Sequence, residues 1–256
     1  MMPQIYYIET DIVDRCNLNC AGCSHYAPLA DKNSDITLDN YTKDLKRISE
    51  LFPYRFIYRI MGGEPFLHPQ LKDILDITRK YLPAAEIELV TNGTLLRSCS
   101  TELIDSINNN DISICISDYG LNLDLEYIKK TFKKAKKVER VNEMYNISLD
   151  KNSTGSYIEN FFECRSTRIC IFLRNGKLYH CPVAGKIDLF DNYFKTDYKK
   201  LFKDGIDIHK NTHHVICNYL RTPIMACKYC NIKNQQKTSH KNYTSNKQIE
   251  EWTISE

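Results

Sequence analysis

The stretch Cys16-Asn17-Leu18-Asn19-Cys20-Ala21-Gly22-Cys23 is the most informative part of this chain of 256 residues. It places three cysteines in one loop, directly after the apolar run Ile5–Ile12, which predicts a β-strand. A [4Fe–4S] cluster normally takes four thiolates, so three of them leave one iron open to another ligand. Zinc explains the loop less well, because structural zinc sites generally pair two short ligand motifs.

Strand and helix patterns alternate over the first part of the chain. Further strands are predicted at Phe56–Ile60, Glu86–Val90, Ile112–Ile116 and Val138–Val141. Helices are predicted at Leu38–Leu51, Leu71–Tyr81, Thr101–Asn108 and Asp124–Lys134. Such alternation favours parallel βα units, in which the chemistry lies at the carboxyl ends of the strands. The cysteine loop follows the first strand at this edge.

A second motif, Met61-Gly62-Gly63-Glu64-Pro65, follows the second predicted strand. With the Cys-x3-Cys-x2-Cys loop one βα unit earlier, it resembles the radical S-adenosylmethionine (SAM) superfamily. The resemblance implies an α/β fold with a partial (β/α) barrel, and a [4Fe–4S] cluster held by Cys16, Cys20 and Cys23. It also implies that SAM binds the open iron and is reductively cleaved to a 5′-deoxyadenosyl radical, which abstracts a hydrogen atom from substrate.

The resemblance further implies a set of SAM-contacting positions. These are Gly62, Gly63, Glu64, Asn92 and Ser117. Glycines let a backbone approach a ligand closely, and the carboxylate can accept hydrogen bonds from the SAM ammonium group. The family usually has an aromatic residue before the third cysteine, near the adenine. This chain has Gly22 there, so the expectation is that Tyr26 or His25 fills that space or that the adenine packs on other apolar groups.

A second group of cysteines follows residue 160, beyond a polar, turn-rich segment at 151–156. A predicted hairpin around Asn175-Gly176 precedes Cys181, and Cys227-Lys-Tyr-Cys230 is a chelating pair. From the residues alone, either zinc or an iron–sulfur cluster fits. The spacing resembles the Twitch auxiliary-cluster domain, a shortened relative of the SPASM domain, and this implies one auxiliary [4Fe–4S] cluster. Its expected ligands are Cys164, Cys181, Cys227 and Cys230, with Cys170 as an alternative to Cys164.

These patterns predict a radical SAM barrel over 1–150, a small cysteine-rich Twitch-like domain over 151–232 and a polar tail over 233–256, with a docked turn at Trp252. The layout is similar to that of 2-deoxy-scyllo-inosamine dehydrogenase. It implies oxidation or epimerisation of a carbohydrate-like or other small polar substrate, with an electron donor such as flavodoxin or ferredoxin. Cys115, on the fourth predicted strand, is a possible hydrogen donor for an epimerase.

Two alternatives are open. One is radical SAM modification of a ribosomally made peptide, and the other is a zinc-binding interaction module without catalysis.

Composition limits the partners and the cellular location that the protein can have. The net charge of +3, without a basic patch interleaved with aromatics, argues against nucleic acid as a partner. No secretory signal or long apolar run is visible, which predicts a cytoplasmic protein with no membrane partner. Eleven cysteines in a reducing compartment point to metal binding.

Overall fold

The structure is a computed structural model that describes residues 7–31, 35–141, 143–145, 149–153, 155–164, 166–167, 170–235, 237–240 and 247–253. It divides into two compact units. The first unit contains Met1–Asn17 and Asn33–Asn142, and the second contains Leu18–Lys32 and Glu143–Glu256. The cysteine loop therefore contributes to both, with Cys16 in the first unit and Cys20 and Cys23 in the second.

The first unit alternates strands and helices. In chain order these are β1 (Tyr7–Val13), α1 (Leu38–Leu51), β2 (Ile57–Gly62), α2 (Leu71–Tyr81), β3 (Glu86–Thr91), α3 (Thr101–Asn109), β4 (Ser113–Asp118), α4 (Leu125–Thr131) and β5 (Ala135–Arg140). The strands are parallel and neighbour one another in the order β5-β4-β3-β2-β1. This confirms the predicted α/β fold with the parallel strands of a partial (β/α) barrel.

Local sequence explains where these helices begin. The side chains of Thr37, Ser100 and Asp124 each accept a hydrogen bond from a backbone amide three residues later, which satisfies one of the free donors of α1, α3 and α4. Only α4 is clearly shorter than predicted. Its first turn is capped by Asp124, and it ends at Thr131 because Phe132 has extended backbone angles.

The two faces of the parallel sheet differ in character. Tyr58 on β2 points toward α1, where it neighbours Tyr41, and Tyr41 in turn hydrogen-bonds Thr78 of α2 at 2.7 Å. The opposite face is polar, and there Arg59 on β2 donates to Glu88 on β3 at 2.6 Å. Since side chains alternate along a strand, one face packs on helices while the other presents charged and polar groups.

The second unit is built from shorter elements. They are β6 (Glu143–Tyr145), α5 (Tyr157–Glu163), β7 (Ile171–Arg174), β8 (Lys177–Tyr179), α6 (Pro182–Phe194), α7 (Tyr198–Phe202), β9 (Ile206–Asp207), α8 (His213–Tyr219) and β10 (Lys237–Ser239). β7, β8 and β9 form an antiparallel meander, and β10 pairs antiparallel with β6. The hairpin around Asn175-Gly176 is present as predicted, whereas no helix was predicted after Cys181.

Aromatic residues from distant parts of the sequence form the core of the second unit. Trp252 has no exposed surface and packs against Phe190 and Phe194 of α6. Tyr26, from the early part of the chain, also packs against Phe190. The docked turn predicted at Trp252 is thus part of this core. The predicted domain limits at 150 and 232 stay predictions. Residues 1–6, 236, 241–246 and 254–256, which include parts of the predicted first strand and tail, lie outside the described residues.

Among the helices that the structure describes, none is both long enough and apolar enough to cross a bilayer.

Candidate functional site

Backbone hydrogen bonds join the Gly-Gly-Glu-Pro segment to the residues just before the cysteine loop, within the first unit. The amide of Gly63 donates to the carbonyl of Val13 at 2.9 Å, and the amide of Glu64 donates to that of Arg15 at 3.0 Å. A Cβ added to Gly63 would lie 2.1 Å from the Arg15 carbonyl oxygen, and one added to Gly62 would lie 2.3 Å from that of Val13. Both glycines are therefore required by the neighbouring backbone, whatever they do for a ligand.

Glu64 is completely buried, and its carboxylate is engaged with protein groups. Oε1 accepts from Thr91 Oγ1 at 2.7 Å and from the Phe66 amide at 3.3 Å, while Oε2 accepts from the Asn92 amide at 2.9 Å. Burial raises the pKa of Glu64 to about 6, and these three donors lower it only in part. The structure thus gives Glu64 a positioning role at the ends of β2 and β3, and the predicted contact of this carboxylate with the SAM ammonium group stays a prediction.

Asn92 connects this carboxylate to the first cysteine. Its Nδ2 donates to Asn17 Oδ1 at 2.7 Å and lies 3.8 Å from Cys16 Sγ. Its Oδ1 accepts from the Thr94 hydroxyl at 2.6 Å, and that hydroxyl also accepts from Asn17 Nδ2 at 2.7 Å. Asn92 is 5% exposed. The predicted SAM-contacting Asn92 is therefore a direct neighbour of the predicted iron ligand Cys16.

The other two cysteines of the loop are supported by the carboxyl-terminal segment of the second unit. Trp252 Nε1 donates to the carbonyl of Cys23 at 2.9 Å, and the amide of Tyr26 donates to the same carbonyl at 3.0 Å. His240 Nε2 lies 3.1 Å from Cys20 Sγ. Sequence reasoning missed both contacts, because nothing in a polar tail indicates which distant loop it will touch.

The structure explains why Gly22 replaces the aromatic residue that the family usually has before the third cysteine. Gly22 has a φ of +62°, and a Cβ there would lie 3.0 Å from the carbonyl oxygen of Glu251. Tyr26, which was expected to fill the vacated space, has no exposed surface and packs in the core of the second unit. A ring without exposed surface has none to offer an adenine, so the structure does not support that contact.

Cys115 and Ser117 lie on β4 at successive positions of the same face. Cys115 pairs in register with Val90 of β3, two residues beyond Glu88, whose carboxylate bonds Arg59 on the polar face of the sheet. Cys115 is buried, and Ser117 is partly exposed near the carboxyl end of β4. Of the two orientations left open by the sequence, the structure thus places Cys115 on the polar face, opposite the helices.

A cavity of about 450 Å³ opens at the carboxyl ends of β3 and β4. Its lining includes Gly93 and Thr94, which directly follow Asn92, and Leu121, Leu123 and Asp124 from the segment after β4. Ligands of parallel α/β sheets bind in clefts of this kind, beyond the carboxyl ends of the strands. This cavity is the candidate position for a small polar ligand in the first unit.

The four thiols predicted to hold an auxiliary cluster influence one another in the second unit. Burial raises the pKa of Cys227 to about 12, with a contribution from Cys164. Burial also raises the pKa of Cys181 and Cys230 well above the usual range, and in both cases neighbouring thiols add to the effect. Raised pKa values keep these thiols protonated in the free protein, and a bound metal centre would displace those protons.

Two further features hold these thiols in place. Cys181 is the residue before α6, and its Sγ accepts from the Ala184 amide at 3.4 Å, so it sits at the amide end of the helix. Asn160, which sequence reasoning missed, donates through Nδ2 to the carbonyls of Cys227 and Cys230 at 3.0 and 2.6 Å. It thereby fixes the turn of the Cys-x2-Cys pair. The alternative of Cys170 in place of Cys164 stays a prediction.

A protein-family model described as "Radical SAM superfamily" matches residues 11–143, just over half of the chain. The match spans the cysteine loop, the Gly-Gly-Glu-Pro segment and the strands that carry Asn92 and Cys115. The chain belongs to the radical SAM superfamily. Membership implies a [4Fe–4S] cluster that works with SAM, and it excludes a zinc-binding interaction module without catalysis as the main description of the chain.

Curated relatives match only part of this radical SAM chain. It is 29% identical over 107 residues to GTP 3′,8-cyclase of Trichormus variabilis, which is 41% of this chain and 33% of that protein. It is 28% identical over 123 residues to the antilisterial bacteriocin subtilosin biosynthesis protein AlbA of Bacillus subtilis, which is 48% of this chain and 25% of that protein. The chain thus spans about a third or less of the length of these relatives.

Two solved structures match a larger share of this chain than the curated relatives do. The crystal structure of BtrN in complex with AdoMet and 2-DOIA covers 92% of this chain and 94% of its own, with a TM-score of 0.57 and 15% identity. BtrN in an open conformation covers 90% and 94%, with a TM-score of 0.51 and 15% identity. At this identity the likeness concerns the fold, and it confirms the radical SAM type of α/β architecture.

Proposed function

We propose that this radical SAM enzyme dehydrogenates a carbohydrate-like or other small polar substrate, with an auxiliary [4Fe–4S] cluster as the electron acceptor. The observation that carries the proposal is the group of four neighbouring thiols in the second unit, Cys164, Cys181, Cys227 and Cys230. Asn160 hydrogen-bonds the backbone of Cys164, Cys227 and Cys230, and Cys181 packs against the buried core that contains Cys227. When bound, the first cluster and SAM supply hydrogen-atom abstraction. The substrate would lose that hydrogen atom, one electron to the auxiliary cluster and one proton from its hydroxyl, which together make a two-electron oxidation.

Among the described residues, no group of three or more His, Cys, Asp or Glu side chains lies close enough together to hold one metal ion. The proposal of a four-iron cluster over a single zinc ion therefore rests on the resemblance of the cysteine spacing to the Twitch domain, and metal analysis decides between the two.

The roles of the chain's own residues in SAM chemistry are proposed from the motifs and from the contacts described above. We assign Cys16, Cys20 and Cys23 as ligands of the first cluster. Glu64 holds the Asn92 backbone, and Asn92 in turn orients Asn17 beside Cys16. SAM contacts are proposed for the backbone of Gly62 and Gly63 and for the side chains of Asn92 and Ser117.

The substrate class rests on two observations. The cavity at the ends of β3 and β4 has the size of a small molecule, and it is lined by Thr94, Arg97, Asn122 and Asp124, among others. The fold is that of BtrN, which was crystallised with AdoMet and 2-DOIA. Both support a small polar substrate. A flavodoxin or ferredoxin is the proposed reductant, and the eleven cysteines, which suit a reducing compartment, support a cytoplasmic location.

Epimerisation is the second outcome that the same chemistry allows. Cys115 lies on the polar face of the sheet, where its thiol could return a hydrogen atom to a substrate radical. In that reaction the substrate gains the hydrogen atom of the thiol, and the thiyl radical must then be reduced by one electron and one proton. Cys115→Ala would abolish an epimerase while leaving a dehydrogenase active.

Peptide modification is a separate candidate, favoured by the match to the subtilosin biosynthesis protein AlbA. That match covers 48% of this chain. A panel that contains aminocyclitols, nucleotide sugars and short peptides would separate the classes by which substrate undergoes SAM-dependent change. Turnover confined to peptides would overturn the assignment of a sugar-like substrate.

Metal content and SAM cleavage test the core of the proposal. Anaerobically reconstituted protein should hold about eight irons per chain, about four in each cluster, and little zinc. Cys16→Ala should abolish formation of 5′-deoxyadenosine and retain the auxiliary cluster, whereas Cys181→Ser should lose only the latter. Cys170→Ser is the matched control and should retain both clusters. Four irons with one zinc in the wild type would contradict the auxiliary cluster, and normal SAM cleavage by Cys16→Ala would contradict the first.

A further inference from the structure

Tyr26 combines three unusual features in the loop that follows the third cysteine. Its backbone has a φ of 52°, in the left-handed region that bulky residues rarely adopt. Its amide is bonded to the Cys23 carbonyl at 3.0 Å. Its ring is completely buried, with centroids 5.6 Å from Phe190 and 6.4 Å from Trp252. Strained backbone of this kind persists where the surroundings require a particular side chain in a particular place.

The hydroxyl of this ring has no hydrogen-bond partner among the residues that the structure describes. A buried hydroxyl without a partner is destabilising, and each such group in a native protein needs an explanation. Phenylalanine would fill the same space without this cost. The phenol oxygen is therefore the part of Tyr26 that packing does not account for.

The surroundings of the hydroxyl indicate a partner. Tyr26 belongs to the same buried cluster as Cys227, with Cys181 packed against it. Burial comes first among the causes that raise the pKa of its phenol, and the thiols of Cys230 and Cys181 add to that rise, so both are near enough to influence the ring. A phenol carries an O–H donor, and this one lies in the buried core that also contains Cys227 and packs against Cys181.

We infer that the Tyr26 hydroxyl donates a hydrogen bond to a sulfur atom of the auxiliary cluster and raises the reduction potential of that cluster. This inference rests on the proposed auxiliary cluster. Reduction adds negative charge to the cluster, so a donor aimed at its sulfur stabilises the reduced form more than the oxidised form. Its backbone bond to Cys23 holds Tyr26 in the cysteine loop, and Tyr26 is a positioning residue for the auxiliary cluster.

The test is the reduction potential of the auxiliary cluster in Tyr26→Phe. It is measured by EPR-monitored titration of the reconstituted full chain in a Cys16→Ala, Cys20→Ala, Cys23→Ala background, so that only the auxiliary cluster contributes. We expect the equilibrium for reduction to fall about tenfold, which is a decrease of about 59 mV for a one-electron couple. Tyr58→Phe is the matched control, because Tyr58 is also a fully buried tyrosine and belongs to the first unit.

The outcomes separate this inference from the proposed function. Suppose that Tyr26→Phe keeps the iron of the auxiliary cluster and shifts its reduction potential no more than Tyr58→Phe does. That result would overturn the inference and leave the proposed auxiliary cluster standing. An iron content of about four per chain in the wild type would instead contradict the proposed auxiliary cluster itself. Resonance Raman spectra in H₂O and D₂O add a second readout, since a hydrogen-bonded sulfur gives an isotope shift in the wild type that Tyr26→Phe should lose.

Discussion

The indole Nε1 of Trp252 donates to the backbone carbonyl of Cys23 at 2.9 Å, across 229 positions of sequence. The carbonyl belongs to a proposed iron ligand, and the indole has no exposed surface. The carboxyl-terminal segment is thus part of the support of the cysteine loop.

Trp252→Phe should destabilise the protein by about 2–3 kcal/mol, through the lost hydrogen bond and the lost ring volume. It should also lower the iron content of the first cluster more than that of the second. Anaerobic urea denaturation and metal analysis of the reconstituted protein provide the measurements. Phe132→Leu removes comparable buried aromatic volume from the first unit and serves as control. Equal loss from both clusters would mean that Trp252 acts only on general stability.

Asn92→Ala should impair SAM cleavage by at least about tenfold, because the loop that carries Cys16 loses the donor to Asn17 Oδ1 and because a proposed SAM contact disappears. The measurement is 5′-deoxyadenosine formation by reduced protein, with SAM affinity determined separately. Asn108→Ala removes two similar bonds, to the carbonyl of Thr131 and from the amide of Lys133, at a place without cysteines. If both variants cleave SAM equally well, Asn92 has no special role.

Gly63→Ala should destabilise the first unit by about 2–4 kcal/mol, because its new methyl group would lie 2.1 Å from the Arg15 carbonyl oxygen, which is backbone that cannot rotate away. Gly120→Ala is the comparison, since Gly120 has a φ of 80° and its substitution costs only about 1 kcal/mol of backbone strain. Thermal or urea unfolding of both variants checks the difference. A Gly63→Ala protein as stable as Gly120→Ala would show that β1 and β2 can separate at this point.

Titration of Glu64 should contribute to the pH dependence of the free energy of unfolding. Its pKa in the folded protein is raised from 4.5 to about 6, so the folded state binds the proton more tightly than the unfolded state does. The free energy of unfolding should therefore decrease as pH rises from about 4.5 to 6, by about 2 kcal/mol from this group. Glu64→Gln should lack this component. An identical pH profile for wild type and variant, measured by urea unfolding, would contradict the shifted pKa.

The parallel half of the fold was predictable because its determinants are local. The helices Leu38–Leu51 and Leu71–Tyr81 have the predicted bounds, since apolar residues recur along one face of each and Thr37 caps the first. The motif residues also lie at the predicted strand ends. Their individual roles were less accessible, because the burial of Glu64 depends on donors from β3 that no spacing reveals.

The second unit was harder to predict from sequence. Helix α6 contains buried Lys186 and Asp191, which break the apolar pattern, although Pro182 in its first turn is a usable signal. The assignment of Leu18–Lys32 to this unit depends on long-range contacts of Tyr26 and Leu29 with its core. Such contacts arise from tertiary packing and leave no periodic trace.

The bond from Trp252 to Cys23 also orders events during biosynthesis. The cysteine loop leaves the ribosome early, whereas its indole partner is synthesised 229 residues later. Until then the Cys23 carbonyl lacks one of its two donors, and until position 240 has been synthesised Cys20 also lacks its neighbour His240. Delivery of iron and sulfide to this loop would thus be most productive after translation has passed Trp252, and a nascent chain halted before that point would hold the metal poorly.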